Sequence, residues 1–183
     1  MSSLRERQAP LKAHYEADPE SAKLVMRVHS ATASDDPTRC TVATRDAMGN
    51  AAVAWEAGAH PMAGGEGDLA CSGGLLLASL AACQEITLRM VAAAMGIELR
   101  EVEVTIEGDL DFRGTMGIDA DTPVGFQQIR TSVRFDADAA PDRLQRLAAR
   151  AEKYCVVGAT LREGATLTTD IAPRQTDGDG HDG

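Results

Sequence analysis

The reactive chemistry open to this chain rests on four cysteines: Cys40, Cys71, Cys83 and Cys155. A thiol can be a metal ligand, half of a disulfide or, once ionised, a nucleophile. The spacing here is wide and irregular and holds no C-x-x-C, which suits neither a small disulfide scaffold nor a zinc site. The histidines, His14, His29, His60 and His181, contain no i, i+4 pair, so no metal centre is expected. None of them sits beside a motif, which argues against a cysteine hydrolase. Each thiol also has a plain structural reading, because unpaired cysteine is among the most buried residue types and behaves as a small hydrophobe. Residue type alone does not choose among the four.

Other motifs are weak. Gly65 to Ala70 reads G-x-G-x-x-A, but no buried strand precedes it, no βαβ unit follows, and Glu66 and Asp68 would repel phosphate. G-K-[ST] and G-x-S-x-G are absent, which argues against a P-loop and a nucleophile elbow. Glu85 and Arg89 are four apart and pair on one helix face.

The elements that must position these thiols follow from periodicity. Residues 4–18 predict a short amphipathic helix interrupted by Pro10. Residues 22–31, 39–46 and 51–58 predict strands, with turns at 34–38 and 48–50, so two hairpins follow one another. A Gly-rich loop, 60–68, leads into the strongest element, a helix from about Gly73 to Met95 that is apolar nearly all round and is therefore expected to be buried nearly all round. Gly96 is its natural stop. Val102, Val104 and Ile106 alternate with polar residues in a strand over 99–110. A loop, 111–124, leads to a second strand, 126–138, with Ile129, Val133 and Phe135 inward. Pro141 opens a helix to about Tyr154, with Leu144, Leu147, Ala148 and Ala151 inward. Cys155 to Val157 begins an apolar turn, and 165–171 reads as a last strand. The order of elements predicts an α+β fold with an antiparallel sheet. Residues 1–172 read as one domain with a helical N-terminal extension, 1–20, and 173–183 as a disordered tail.

Composition narrows the partners. The 183 residues carry a net charge of −10, so nucleic acid and anionic membrane surfaces are not expected partners. The N-terminus lacks the apolar region of a secretory signal. The apolar run from Leu75 to Met95 is broken by Gln84, Glu85 and Arg89, which leaves less than the ~20 residues a bilayer span needs. A cytoplasmic protein with reduced thiols is the expectation.

Ser72–Gly–Gly–Leu–Leu–Leu–Ala–Ser–Leu–Ala–Ala–Cys83, continuing through Ile86–Thr–Leu–Arg–Met–Val, resembles the central helix of the OsmC/Ohr family, the osmotically inducible and organic hydroperoxide resistance proteins. Ala151–Glu–Lys–Tyr–Cys155–Val–Val is similar to the family's second cysteine segment, and the likeness covers about 22–172, in an OsmC-like subgroup. The resemblance implies an OsmC-like fold, with antiparallel sheets around a long central helix, in an intertwined homodimer. It implies a thiol-dependent peroxidase that takes a hydroperoxide substrate and a dithiol reductant and needs no cofactor or metal. Cys83 would be the peroxidatic thiol and Cys155 the resolving one. An arginine from the hairpins would activate Cys83, Arg45 first and Arg39 second. Where the family has a Glu near the start of the helix, this chain has Gly73; Glu66, Asp68 and Glu85 are the acids that could replace it. That departure sustains an alternative, a non-catalytic protein of the same fold that binds a small molecule or senses redox state.

Overall fold

The computed structural model describes residues 3–46 and 50–173. Its elements run α1 (Leu4–Ala17), β1 (Arg27–Thr32), β2 (Arg39–Arg45), β3 (Ala51–Gly58), α2 (Ser72–Met95), β4 (Leu99–Asp109), α3 (Phe112–Thr115), β5 (Gln128–Ala137), α4 (Pro141–Tyr154) and α5 (Val156–Glu163). Apart from residues 50 and 173, the expected turn at 48–50 and tail at 173–183 lie outside the described residues.

Helix α1 starts on a capping box: the Ser3 hydroxyl accepts from the Glu6 N–H, and the Glu6 carboxylate accepts from the Ser3 N–H. The expected interruption does not occur, because the helix runs through Pro10. Proline removes one N–H, and in a helix with no buried residue the carbonyl it leaves unpaired can be hydrated.

Strands β1, β2 and β3 form the two expected hairpins, an antiparallel meander in that order. Thr32 faces Cys40, Val42 faces Trp55, and the register shifts between Thr44 and Arg45. Every residue of β1 is exposed. The strands pack on one another rather than on α2.

The rest of the chain builds the core. Strands β4 and β5 pair antiparallel from Leu99↔Ala137 to Asp109↔Gln128. Their alternation puts Val102, Val104 and Ile106, and Ile129, Val133 and Phe135, on the covered side. Leu88, Ala92, Ile97, Leu147 and Ala151 make the buried cluster where α2 and α4 meet this sheet. Gly96 ends α2 at φ 63°, a conformation glycine adopts without steric cost, and the Ile97 N–H closes the end on the Ala92 carbonyl. Gly108 lets Phe126 lie against the sheet, since a Cβ there would come within 2.7 Å of its ring.

Helix α2 is long and apolar enough to cross a membrane by length and composition alone. Here it is the central helix of an α+β fold, packed by β4, α4 and α5. The burial expected on nearly every side is not reached within one chain: Leu80, Leu88 and Ala92 are buried, while Ile86 and Met90 are exposed. Helix α4 holds Leu147 and Ala151 inward as expected, and Ala148 is exposed.

Three further expectations need correction. The loop over 111–124 contains α3, one turn capped by Asp111. The apolar turn at Cys155–Val157 is the first turn of α5, capped by Cys155 and stopped at Gly164. The segment 165–171 is not a strand. Leu167 and Ile171 are 90% exposed, for a strand forms only where a neighbouring edge takes its hydrogen bonds.

Candidate thiol site

Cys83 lies midway along α2, half-buried, and Cys155 is the N-cap of α5, 1% exposed. The junction of α4 and α5 brings the second thiol beside the first, where each shifts the acidity of the other. The first turn of α5 also turns the Val157 and Val156 N–H groups toward Cys83, where they favour its thiolate. Thr87, one turn along α2, sets its hydroxyl 4.0 Å from the Cys83 sulfur. Cys155 is served by its own helix: its sulfur accepts from the Gly158 N–H at 3.3 Å.

The two thiols are driven apart in acidity. Partial burial raises the Cys83 pKa, but the Val157 N–H, the Cys155 thiol, the Thr87 hydroxyl and the Val156 N–H together outweigh it, and the net direction is down. Burial also raises Cys155; the Gly158 N–H and the Arg162 charge pull back, contact with Cys83 pushes further up, and the net direction is up. A thiolate at a helix N-terminus beside a second, protonated thiol is a nucleophile with its resolving partner in place.

Two hollows meet at Gln84, which follows Cys83 in α2, and at Thr131 and Arg162. The larger, about 540 Å³, is lined by Leu76, Leu80, Phe126, Ile129 and Leu161, with Gly158 at the thiol end. Gln84 Nε2 donates to Thr131 Oγ1 at 3.4 Å, tying α2 to β5 beside it.

The arginines lie elsewhere. Arg45 ends β2 opposite Arg27 and Ala51 and is exposed. Arg39 is held by three carboxylates: Asp68 at 2.8 Å, Glu66, and Asp36 at 3.3 Å. The bonds to Asp68, foremost, and to Glu66 raise the Arg39 pKa. So two of the acids that could replace the missing Glu do fix an arginine, and it is Arg39. Gly73 itself faces Phe126, 3.3 Å from where a Cβ would stand, in an apolar hollow of about 570 Å³ with Leu77, Leu110 and Phe112. Cys71 caps α2 beside it, accepting from the Gly74 N–H, and Cys40 sits in β2.

The residue types left several site groups unmarked. Val156 and Val157 act through backbone N–H, which carries no sequence signal. Thr87 was findable, one helical turn from Cys83. Gly158 and Arg162 become readable only once 156–163 is known to be a helix.

Antiparallel sheets, a long central helix carrying one thiol and a second thiol capping a later helix define an α+β thiol protein of OsmC-like architecture. The sequence profile described as OsmC-like protein matches residues 65–170, and the chain belongs to that family. Its fold is similar to that of an OsmC-like protein from Mycoplasma pneumoniae, with TM-score 0.60 at 17% identity over 76% of this chain and 89% of that one. It is similar to an organic hydroperoxide resistance protein OsmC from Legionella pneumophila, with TM-score 0.53, 21% identity, and 76% and 90% coverage. It is also similar to an OsmC-like protein of unknown function from Vibrio cholerae, with TM-score 0.56, 13% identity, and 75% and 94% coverage. No curated protein matches the sequence.

Proposed function

We propose that this protein is a cytoplasmic thiol-dependent peroxidase that reduces organic hydroperoxides. The observation that carries the reading is that Cys83, midway along α2, stands near both the α5 N-terminus and its capping thiol Cys155, which lower its pKa. A structural neighbour from Legionella pneumophila bears the name of an organic hydroperoxide resistance protein, which agrees with it. The Cys83 thiolate attacks the terminal peroxide oxygen, the O–O bond breaks, and the alkoxide takes a proton and leaves as alcohol. Cys83 is now a sulfenic acid. The Cys155 sulfur attacks it, the S–O bond breaks, water leaves, and a disulfide remains. A dithiol reductant then returns both thiols by exchange.

A second copy of the chain completes this reading. It covers the faces of α2 that one chain leaves exposed and brings an arginine toward the thiols. Arg45 and Arg39 are the arginines such a copy would bring, and Arg39 is the one already held, by Glu66 and Asp68. A second reading, a non-catalytic binder or redox sensor, is favoured by one observation: Gly73 opens onto an apolar hollow instead of offering an acid.

Peptide mass mapping after one equivalent of cumene hydroperoxide separates the two. The peroxidase forms a Cys83–Cys155 disulfide rapidly, and Cys155→Ser accumulates sulfenic or over-oxidised Cys83. Slow oxidation spread over all four thiols would sink the peroxidase.

A further inference from the structure

We infer that Arg162 is the positioning residue for the second thiol: its guanidinium stabilises Cys155 as a thiolate, both when Cys155 attacks and when it leaves. The inference rests on the peroxidase reading for its place in a cycle and on geometry for its physical content. A Cβ placed on Gly158 would lie 3.2 Å from the Cys155 sulfur and 3.4 Å from Arg162 Nη1, so thiol and guanidinium flank the same carbon. The guanidinium is fixed from the other side, where Nη2 donates to the Glu152 carbonyl at 3.0 Å and Nη1 lies 3.6 Å from the Glu152 carboxylate. Arg162 therefore bridges the end of α4 to α5 near the thiol between them. The charged groups about Cys155 are Arg162 from α5 and, behind it, Glu152 from α4; from α2 the titratable neighbour is Cys83.

A cation is needed at this place. Cys155 is 1% exposed, so its thiolate has almost no water to stabilise it. When Cys155 attacks the sulfenic Cys83, its proton leaves, the new S–S bond uses the electron pair of the thiolate, and the hydroxyl departs as water. The reverse chemistry has a direction set by the same burial. An incoming dithiol reaches the half-buried Cys83, not the buried Cys155. Its thiolate bonds to the Cys83 sulfur, the S–S pair goes to Cys155, and Arg162 and the Gly158 N–H receive the charge. The second thiol of the reductant then attacks the mixed disulfide and frees Cys83, and the reductant leaves oxidised.

The test separates this role from the peroxidase reading. In a Cys83→Ser background no peroxide chemistry is involved, and the pH dependence of iodoacetamide labelling at the Cys155 peptide reports its thiolate. Arg162→Gln is expected to move that profile up by about one pH unit, a tenfold loss of thiolate at neutral pH, and Arg162→Lys to restore most of it. Within the full chain, Arg162→Gln is expected to slow disulfide formation after a peroxide pulse roughly threefold, because the gain in intrinsic nucleophilicity offsets part of the lost ionisation, and to raise over-oxidised Cys83. An unmoved labelling profile in Arg162→Gln overturns the inference, as does a shift that Arg162→Lys fails to reverse while the circular dichroism stays that of the parent. If the parent chain forms no disulfide with peroxide but the labelling profile still shifts, the peroxidase reading fails and the role of Arg162 at Cys155 stands.

Discussion

The β1–β3 meander and the half of the chain from α2 to α5 are built from similar residue types and end differently. In the second half the apolar residues meet: Leu88, Ala92, Leu147 and Ala151 lose nearly all their solvent. In the first, Val28 and Val53 remain 61–63% exposed, and Leu24, Val25 and Met26, which lead into β1, 70–83%. Alternation makes a strand in both places, but only the β4–β5 sheet has helices laid on it. The thiol pair sits in the half that finishes itself, and the arginines expected to serve it sit in the half that does not. The acidity of Cys83 is thus set within one half of the chain, by groups of α5 and α2, while Arg39 is occupied in the other by Glu66 and Asp68.

The sharpest way to break this comparison is to truncate one residue in each half. Leu147 has no exposed surface, and Leu147→Ala is expected to cost about 2–5 kcal/mol in denaturant unfolding, from lost transfer energy and the cavity left behind. Val53→Ala in the meander is expected to cost under about 0.5 kcal/mol for a single chain. A cost at Val53 close to that at Leu147, growing with protein concentration, would show that the meander is a core shared between copies.

Legibility in the sequence divides along chemical lines. Hydrophobic period and end signals were readable: Gly96 stops α2, Pro141 opens α4, and the covered residues of β4 and β5 alternate as expected. Elements that depend on a distant neighbour were not. The segment 165–171 alternates like a strand but has no edge to join, and α5 hides behind Val156–Val157–Gly158, a run that reads as a turn. Its signals were the capping thiol and Gly164. In the site, the two cysteines were set apart by resemblance, not by type. Two of the donors that lower Cys83, at Val157 and Val156, are main-chain groups common to every residue, so no reading of side chains could have found those two.

The two thiols sharpen the comparison inside the finished half, since one helix terminus treats them oppositely. Labelling with iodoacetamide across pH is expected to give Cys83 a midpoint below the ~8.5 of a free cysteine and Cys155 one above it. Stability should follow the same signs. Lowered in the fold, Cys83 contributes stability that is full above the ordinary thiol value and is lost as pH falls through its folded value. Raised in the fold, Cys155 contributes stability that is full below the ordinary value and is lost as pH rises through its folded value. The terms oppose each other, so each is clearest alone. In Cys155→Ser the urea midpoint is expected to rise with pH across the Cys83 interval, and in Cys83→Ser to fall with pH across the Cys155 interval. Matching profiles for the two variants would show that the α5 N-terminus does not distinguish the thiols.

The smallest expected effect lies at the seam between the halves. Arg39 of β2 is tied to Glu66 and Asp68 of the loop that leads into α2, and Gly58 bridges to Cys71 where that helix is capped. These pairs are exposed and contribute little to global stability, but they fix where the loop stands. Asp68→Asn keeps the size of the side chain and removes its charge. Unfolding is expected to be unchanged within error, while hydrogen exchange speeds several-fold at the Gly58 N–H, which donates to the Ala70 carbonyl beside the clamp. The core amides of Leu88 and Ala92 should not change. If exchange at Gly58 stays as slow as in the parent, the seam is held by the strand contacts alone, and Arg39 is free to turn its charge toward another chain.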